Sequence, residues 1–405
     1  KPQIEDWVSE MKRIPGVLPD PESRDWNAFF EDLGISGNTG KKAGNWVPEI
    51  DPDAPYVTAR QKEQIHEIDQ HNQWALMDSR LLRKQWVSKL NTDSLEEYKE
   101  STKPHRERFY HEVIGAFADE RVPLNAQSRT FQKTDGVTSY QVTMDVFPGF
   151  KAYGILIVPD DLALDGSEKR PVVVCQHGLE GRPEDVIGEN KFKAYEAFAT
   201  KLAQRGYVTF APQNLYLHHD DFRMLQFKAN SVGKTLFSFI IPQHEQILDW
   251  LSEEPFVDAE KIGFYGLSYG GKSAMRIPAV VERYALSICS ADFNEWIWKN
   301  VATDPESLRY SYANKREYEM YEWNLGNTFN YAEMAALICP RPFMVERGHF
   351  DGVGPDEMVA FEYAKVRNLY AARLGIPEKT TIEWFPGPHK INGVETFQFL
   401  DKWLK

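Results

Sequence analysis

The feature that most constrains this chain is a run of small residues at positions 266–271, GLSYGG. An apolar, β-forming stretch, KIGFY at 261–265, precedes it, and a helix-compatible stretch follows. A strand that turns sharply into a helix strains the residue at the turn, and only small residues two positions before and after it avoid a clash. Gly266 and Gly270 occupy these positions around Ser268. The run therefore predicts a nucleophile elbow that lifts the Ser268 hydroxyl above a sheet.

Composition limits the classes to which the chain can belong. Its 405 residues are 42% hydrophobic and 13% aromatic, enough for a large globular core. The formal charge of −13 argues against a general basic surface for nucleic acid or anionic membrane. No run reaches the ~18 apolar residues of a membrane span. We therefore expect a small or neutral substrate, no nucleic acid and no membrane span, and composition leaves the oligomeric state unknown.

The sequence leaves the cellular compartment open. The first residues, KPQIED, lack the pattern of a signal peptide, although a mature form with its leader removed would look the same. Cys175, Cys289 and Cys339 each lie in an apolar run, where free cysteine behaves as a small hydrophobic residue. We predict three buried thiols, which do not fix the compartment.

Residues 1–125 differ from the rest and are predicted to form a helical and irregular extension packed on the core. Gly and Pro between 34 and 55 predict an irregular wrap, and helices are predicted over 58–90 and 106–117. In the first of these helices the apolar positions recur at helical spacing: Ile65, Ile68, Ala75, Leu82 and Trp86. The extension also carries five tryptophans, too much apolar surface for a free tail: Trp7, Trp26, Trp46, Trp74 and Trp86.

From residue 126 to 405 short β-rich runs alternate with helical ones. Strands are predicted over 137–146, 152–158, 171–176, 207–210, 261–265, 285–289, 342–346 and 380–385, and helices over 191–205, 236–252 and 394–404. This alternation predicts an α/β fold, a mostly parallel sheet covered by helices on both faces. The segment 292–331, rich in Trp, Tyr and Asn, is too long for an ordinary loop and is predicted to be an insertion near the site.

The chain contains candidates for each group that ester hydrolysis by serine requires. These are a nucleophile, a base that takes its proton, a carboxylate that orients the base, and donors for the oxyanion. Asp351 follows the predicted strand at 342–346 by a short loop, and His389 follows the strand at 380–385. We predict Ser268 as nucleophile, Asp351 as acid and His389 as base.

Nearby residues are alternatives for two of these roles. Asp356 and Glu346 are rival acids, but Asp356 is expected to open the next helix and Glu346 to close the strand. His349 is a rival base, but it precedes the acid in the chain, so a loop-packing role is favoured.

Two backbone N–H groups are candidate oxyanion donors. That of Tyr269 lies at the start of the helix after the elbow, and that of Leu179 lies in the turn after the strand at 171–176. His177 in the same turn is expected to hold the loop by hydrogen bonds rather than to take part in the reaction.

The run HHDD at 218–221 looks like a metal site. Adjacent residues of an extended segment point in opposite directions and cannot all face one ion, so a surface loop is favoured. We expect no metal and no cofactor.

With these residues placed, residues 126–405 resemble the α/β-hydrolase superfamily, and within it bacterial dienelactone-hydrolase-like and acetyl xylan esterase-like carbohydrate esterases. The motifs that carry the resemblance are QHG at 176–178, GLSYGG at 266–271, GHFD at 348–351 and GPH at 387–389. The resemblance implies hydrolysis of an acetyl, feruloyl or uronate ester through an acyl-enzyme on Ser268, with Asp351 and His389. It also implies a secreted or periplasmic enzyme that acts on a small-molecule or polysaccharide ester. The cytoplasm remains an alternative compartment.

Two further likenesses point in different directions. Lys272 stands where glucuronoyl esterases have a lysine after a similar elbow, whereas Tyr269 stands where they have arginine. The elbow is also similar to that of prolyl-oligopeptidase-like peptidases, although the first 125 residues show no propeller-blade period. A serine peptidase and a non-catalytic binding protein on the same fold are therefore the alternative functions.

Five residues are candidate substrate contacts. Lys272 would otherwise be a solvent-facing helix residue, and Trp296 and Trp298 would share a face only on an extended segment, since they would diverge on a helix. Gln213 and Arg223 lie in the polar segment after the strand at 207–210.

Overall fold

The computed structural model describes residues 55–188, 190–301 and 322–405. By internal packing the chain divides into two compact units, Lys1–Ile68 and Asp69–Lys405, and the fold reported below is that of the second unit. The predicted domain boundary near residue 125 stays a prediction. The predicted wrap over 34–55, apart from its last residue, and Trp7, Trp26 and Trp46 lie outside the described residues.

A nine-stranded sheet organises the described chain, in the order β1-β2-β3-β5-β4-β6-β7-β8-β9. The strands are β1 (Gln127–Thr134), β2 (Val137–Phe147), β3 (Phe150–Pro159), β4 (Arg170–Gln176), β5 (Val208–Pro212), β6 (Val257–Leu267), β7 (Leu286–Ser290), β8 (Phe343–Gly348) and β9 (Thr380–Phe385). β1, β2, β3 and β5 pair antiparallel, and every pair from β5 through β4 to β9 is parallel. The predicted fold class is confirmed.

Helices cover the sheet. They are α1 (Pro55–Val87), α2 (Leu95–Arg108), α3 (Pro183–Ile187), α4 (Phe192–Tyr195), α5 (Phe198–Gln204), α6 (Asp220–Asn230), α7 (Leu236–Glu253), α8 (Tyr269–Val280), α9 (Trp296–Val301), α10 (Leu325–Thr328), α11 (Tyr331–Ile338), α12 (Asp356–Arg367) and α13 (Glu395–Leu404). Short π-helical segments continue α2 (Phe109–Ile114) and α12 (Asn368–Arg373), and a 3-10 turn (Pro377–Lys379) precedes β9.

The central strands are buried on both faces. In β4, Val172 and Val174 pack into one apolar cluster, whereas Val173 and Cys175 pack into a second cluster on the opposite face. Successive side chains of a strand point to opposite faces, so an uninterrupted apolar run is the pattern of a strand with helices on both sides. All three cysteines are buried and unbridged, as predicted.

Some elements differ from the sequence prediction. The single helix expected over 191–205 is two short helices, α4 and α5, because Glu196 and Ala197 between them adopt left-handed backbone conformations (φ 56° and 50°). Strand β1 was not predicted because every one of its residues is exposed, which leaves no alternation of apolar and polar side chains to detect.

Helix α2 begins at Leu95, eleven residues before the predicted start of the second helix. Ser94 caps it, since its hydroxyl accepts a hydrogen bond from the Glu97 N–H at 3.1 Å. Helix α1 confirms the predicted helix, but Ile65, Ile68 and Leu82 are exposed on it. Its buried positions near the C-terminal end are Ser79, Arg83 and Trp86, so Trp86 is the one predicted apolar position of this helix that is buried.

Residues 95–114 are anchored in the core of the sheet domain. The Tyr98 hydroxyl donates to the Ala336 carbonyl at 2.7 Å, and the Arg106 side chain donates to the carbonyls of Ala279 and Leu337 at 3.0 and 2.9 Å. Phe109 is fully buried against Phe329, with ring centroids 4.8 Å apart. This part of the predicted extension therefore shares the core of the sheet domain.

This packing predicts different effects for Phe109 and for Trp74, an exposed aromatic residue of helix α1. Phe109→Ala should reduce the free energy of unfolding by about 3–5 kcal/mol because it leaves a cavity in a packed core. Trp74→Ala should change it by less than about 0.5 kcal/mol, since Trp74 is 67% exposed. Urea unfolding followed by circular dichroism measures both, and equal losses would contradict the packing described.

Candidate active site

Ser268 has the backbone of a nucleophile elbow. It stands between β6 and α8 with φ 61° and ψ −120°, a conformation that costs a residue other than glycine roughly 1–3 kcal/mol. A Cβ atom on Gly266 would collide with the backbone of Gly270, so the tight turn requires glycine there. The Ser268 N–H donates to the Ser290 carbonyl at 2.9 Å, which fixes the strained residue to β7.

The structure brings the predicted acid and base together. Nδ1 of His389 lies 3.0 Å from Oδ2 of Asp351, within hydrogen-bonding distance. The Asp351 carboxylate is buried, and its Oδ1 accepts the Val353 N–H at 2.9 Å. Asp351 follows β8 and His389 follows β9, so both lie beyond the carboxyl ends of parallel strands, as Ser268 does after β6. With Nδ1–H donated to Asp351, Nε2 of His389 is the nitrogen left to act as a base.

Arg347, which the sequence analysis missed, holds the acid loop. Its Nη2 donates to the Asp351 carbonyl at 2.9 Å, its Nη1 lies 3.4 Å from Asp351 Oδ2, and it also donates to the Gly354 carbonyl. Its Nε donates to Asp356 at 3.1 Å. In the sequence, the one indication of a role for Arg347 was its charge at the end of an apolar strand.

The rival acids and base have other partners. Asp356 is the first residue of α12, and its Oδ2 lies 2.6 Å from Nδ1 of His349. The His349 ring stacks on Trp384 with an interplanar angle of 11°. The carboxylate of Glu346 is fully buried beneath the site and accepts hydrogen bonds from hydroxyl and backbone groups.

The turn after β4 runs beside the nucleophile. A Cβ atom on Gly178 would lie 2.9 Å from the Ser268 Cβ. The Gly178 N–H donates to the Tyr195 hydroxyl at 2.9 Å, and the Glu180 N–H donates to the Tyr216 carbonyl at 2.8 Å. The Leu179 N–H between them has no acceptor among the described residues, so it remains available to a ligand. The Tyr269 N–H is at the first position of α8.

His177 holds this turn by hydrogen bonds. Its Nδ1 lies 2.8 Å from the Gly178 carbonyl, to which it donates, and its Nε2 accepts the Asn214 N–H at 3.0 Å. Burial lowers the pKa of His177 to about 4, so the ring is neutral near pH 7. Both ring nitrogens are used in the structure of the loop.

Lys272 faces the interior rather than solvent. It is 1% exposed, and its Nζ lies 3.3 Å from Glu322 and 3.1 Å from the Tyr269 hydroxyl. Arg276 binds the same Glu322 carboxylate through two nitrogens at 2.8 and 3.1 Å. Burial acts to raise the pKa of Glu322, but the charges of Arg276 and Lys272 outweigh it and the pKa is lowered. These charges join the elbow helix to the end of the predicted insertion.

The other candidate contacts are dispersed. Trp296 and Trp298 lie on a helix, α9, so they diverge, and Trp296 is buried whereas Trp298 is 42% exposed. Nε2 of Gln213 donates to the Asn214 carbonyl at 2.7 Å, which places this side chain in the loop that His177 holds. Arg223 lies on α6, where it donates to the His219 carbonyl at 2.9 Å.

The run at 218–221 forms the start of a helix. His218 and His219 have positive φ angles, 67° and 50°, and both N–H groups donate to the Glu180 carboxylate, at 3.1 and 2.7 Å. Asp220 begins α6. Over the described ranges, no group of three or more His, Cys, Asp or Glu side chains is arranged to hold a metal ion. No helix in the same ranges has the length and apolar character needed to cross a membrane.

Sequence comparison places this site in a known family context. Residues 162–287 match the model of the dienelactone hydrolase family. The chain is 23% identical over 309 residues to dipeptidyl-peptidase 5 of Porphyromonas gingivalis, a match that covers 72% of this chain and 40% of that protein. It is 26% identical over 204 residues to human dipeptidyl peptidase 8, covering 50% of this chain and 22% of that protein. The chain thus spans less than half the length of these two relatives.

Solved structures share the fold at low sequence identity. Acetyl xylan esterase 1 from Thermoanaerobacterium sp. JW/SL YS485 is 15% identical, with a TM-score of 0.50 over 78% of this chain and 96% of that one. A glucuronoyl esterase from Teredinibacter turnerae T7901 is also 15% identical, with a TM-score of 0.54 over 76% of this chain and 85% of that one. The sheet order, the elbow and the solved structures agree: this chain has the α/β-hydrolase fold, and its residues 162–287 match the dienelactone hydrolase family model.

Proposed function

We propose that this protein is a serine carboxylic-ester hydrolase that uses Ser268, His389 and Asp351. The observation that carries the proposal is the contact between Nδ1 of His389 and Oδ2 of Asp351, which are 3.0 Å apart. This pair lies beyond the carboxyl ends of the strands, at the same edge of the sheet as the strained Ser268. A carboxylate that binds Nδ1 orients the imidazole and stabilises the imidazolium that forms when Nε2 takes a proton. The family match to a hydrolase and the esterases that share the fold support the same reaction class.

The reaction follows from these groups in two halves. Oγ of Ser268 attacks the ester carbonyl carbon while Nε2 of His389 takes the hydroxyl proton, and the oxyanion accepts hydrogen bonds from the N–H groups of Tyr269 and Leu179. Collapse breaks the carbon–oxygen bond to the alcohol, which leaves with the proton from His389. Water then attacks the acyl-enzyme with His389 again as base, and the carboxylic acid is released as Ser268 recovers its proton.

We infer a carbohydrate ester as the substrate class. The support is that structures with this fold include enzymes named for acetyl xylan, for glucuronoyl esters and for methyl esters. We propose that the insertion at 292–331 shapes the substrate site, and the support is that Glu322 near its end binds Lys272 and Arg276 of the elbow helix. We also propose that residues 1–125 form a packed extension that helps to shape the substrate site.

A peptidase is the second candidate function. The observation that favours it is the similarity to two dipeptidyl peptidases, over 72% and 50% of this chain. A serine triad attacks an amide carbonyl by the same steps as an ester carbonyl. A substrate panel separates the two candidates: acetylated xylan, methyl-esterified uronates, feruloyl esters and aryl acetates against aminoacyl and dipeptidyl anilides.

Replacement of the nucleophile tests the reaction directly. Ser268→Ala should lower turnover of the best ester by about 10³-fold or more while the melting temperature stays close to that of the wild type, because only the attacking oxygen is removed. Initial rates and thermal unfolding measure the two effects. A variant that keeps more than about a tenth of the activity would refute the assignment.

The two aspartates after β8 provide a matched pair. Asp351→Asn should lower kcat by about three to four orders of magnitude because the amide stabilises neither the tautomer nor the imidazolium of His389. Asp356→Asn should lower it by less than about tenfold, since Asp356 pairs with His349. Steady-state kinetics of both variants measure the two losses. A larger loss of kcat in Asp356→Asn than in Asp351→Asn would identify Asp356 as the acid.

A further inference from the structure

A buried carboxylate that the reaction does not use lies beneath the triad. Glu346, on β8 two positions before the strand ends, has no solvent exposure, whereas most glutamates lie at the surface. Transfer of a carboxylate from water into a protein interior costs several kcal/mol unless donors surround it. The identity of those donors therefore indicates what the charge does.

The donors come from the segment after the base and from the strands beside the nucleophile. The N–H groups of Asn392 and Gly393 donate to Oε1 of Glu346 at 3.0 and 2.9 Å, three and four residues after His389. The Tyr265 hydroxyl, on β6 three residues before Ser268, lies 2.9 Å from both carboxylate oxygens. The Thr396 hydroxyl donates at 3.2 Å.

Ser290 completes the link to the nucleophile. Its hydroxyl donates to Oε2 of Glu346, while its carbonyl accepts the Ser268 N–H at 2.9 Å. Ser290 is the last residue of β7, so one residue contacts both the elbow and the carboxylate. Through Ser290, Asn392 and Gly393 the Glu346 carboxylate connects the nucleophile backbone with the segment that carries the base.

A second carboxylate binds the same segment from the other side. Glu383 on β9 accepts the Glu395 N–H at 3.1 Å and the side-chain amide of Asn392. Glu383 and Tyr265 are the titratable groups that act on Glu346. Burial, together with the charge of Glu383, raises the pKa of Glu346 to about 7 against the effect of its hydrogen-bond donors.

We propose that Glu346 is a positioning residue, which fixes the segment after His389 relative to the Ser268 elbow so that the base meets the nucleophile. This inference rests on the proposed function. Misplacement of a catalytic group by about 1 Å can cost about 100-fold in rate, so a rigid joint between base and nucleophile has a direct kinetic consequence. A carboxyl group offers two oxygens: Oε1 accepts the Asn392 and Gly393 N–H groups while Oε2 accepts the Ser290 hydroxyl, so one side chain joins the two segments.

Two variants of Glu346 separate the acceptor from the charge. Glu346→Gln keeps an oxygen for the Asn392 and Gly393 N–H groups and can donate to Ser290, so we expect kcat to fall about 5- to 10-fold. Glu346→Ala removes both acceptors, and we expect kcat to fall about 100-fold with KM changed less than threefold. The graded loss, with rescue by the conservative variant, is the signature of positioning.

The matched control is Glu362→Ala. Glu362 on α12 is also fully buried and also accepts a backbone N–H, that of Ala332 at 3.0 Å. Its other partner is the Lys365 ammonium on the same helix, which is not part of the segments that carry Ser268, Asp351 or His389. The Glu362→Ala variant should lose stability as Glu346→Ala does, but its kcat should stay within about threefold of the wild-type value. All assays are run at a temperature where circular dichroism shows each variant folded.

The rate at which a fluorophosphonate labels Ser268 gives a second measurement that does not depend on the natural substrate. We expect the labelling rate to decrease from the wild type to Glu346→Gln and further to Glu346→Ala. If the wild type is labelled and both Glu346 variants react at its rate, or if Glu362→Ala loses as much kcat as Glu346→Ala, the inference is wrong and the proposed function stands. If the wild type is neither labelled nor active on any ester, the proposed function itself fails.

Discussion

The strained backbone at Ser268 is the constraint on which the rest of the site depends. A residue with φ 61° and ψ −120° persists only where its surroundings fix it, and here β6 is paired on both sides, with β4 and β7. The Ser268 N–H bonds to Ser290 at the end of β7, and the backbone of the turn after β4 passes against its side chain at Gly178. The parallel register of three strands therefore positions the nucleophile and a candidate oxyanion donor together.

Buried charges order the loops around this centre. Arg347 binds the Asp351 loop, Lys272 and Arg276 bind Glu322 behind the elbow, and Glu346 binds the backbone after His389. Each group would destabilise the fold if it were buried alone, and each is surrounded by hydrogen-bond partners. Apolar packing forms the sheet domain, whereas these charged contacts set the relative positions of the loops that follow its strands.

Local patterns in the sequence were enough to predict eight of the nine strands of the sheet, all but β1, and to name the triad candidates. The elbow glycines, the apolar runs of β4 and β6 and the loops that carry Asp351 and His389 each have a signature within a few residues. The role of Glu346 depends on partners that are distant in sequence, and the role of Arg347 depends on how the loop after β8 folds back onto it. The residues next to them therefore indicated only a charged strand end. The same limit explains Lys272, whose partner Glu322 is 50 positions away, and helix α1, where Arg83 rather than Leu82 is buried because Glu295 and Glu333 receive it.

The measurement that tests the central claim most directly is the mass of the covalent adduct formed with a fluorophosphonate, followed by peptide mapping. A serine activated by His389 and Asp351 should take up one phosphonyl group on Ser268, with loss of esterase activity in proportion to labelling. The Ser268→Ala variant should take up none. Labelling of another residue, or full esterase activity in protein that is completely labelled at Ser268, would contradict the account.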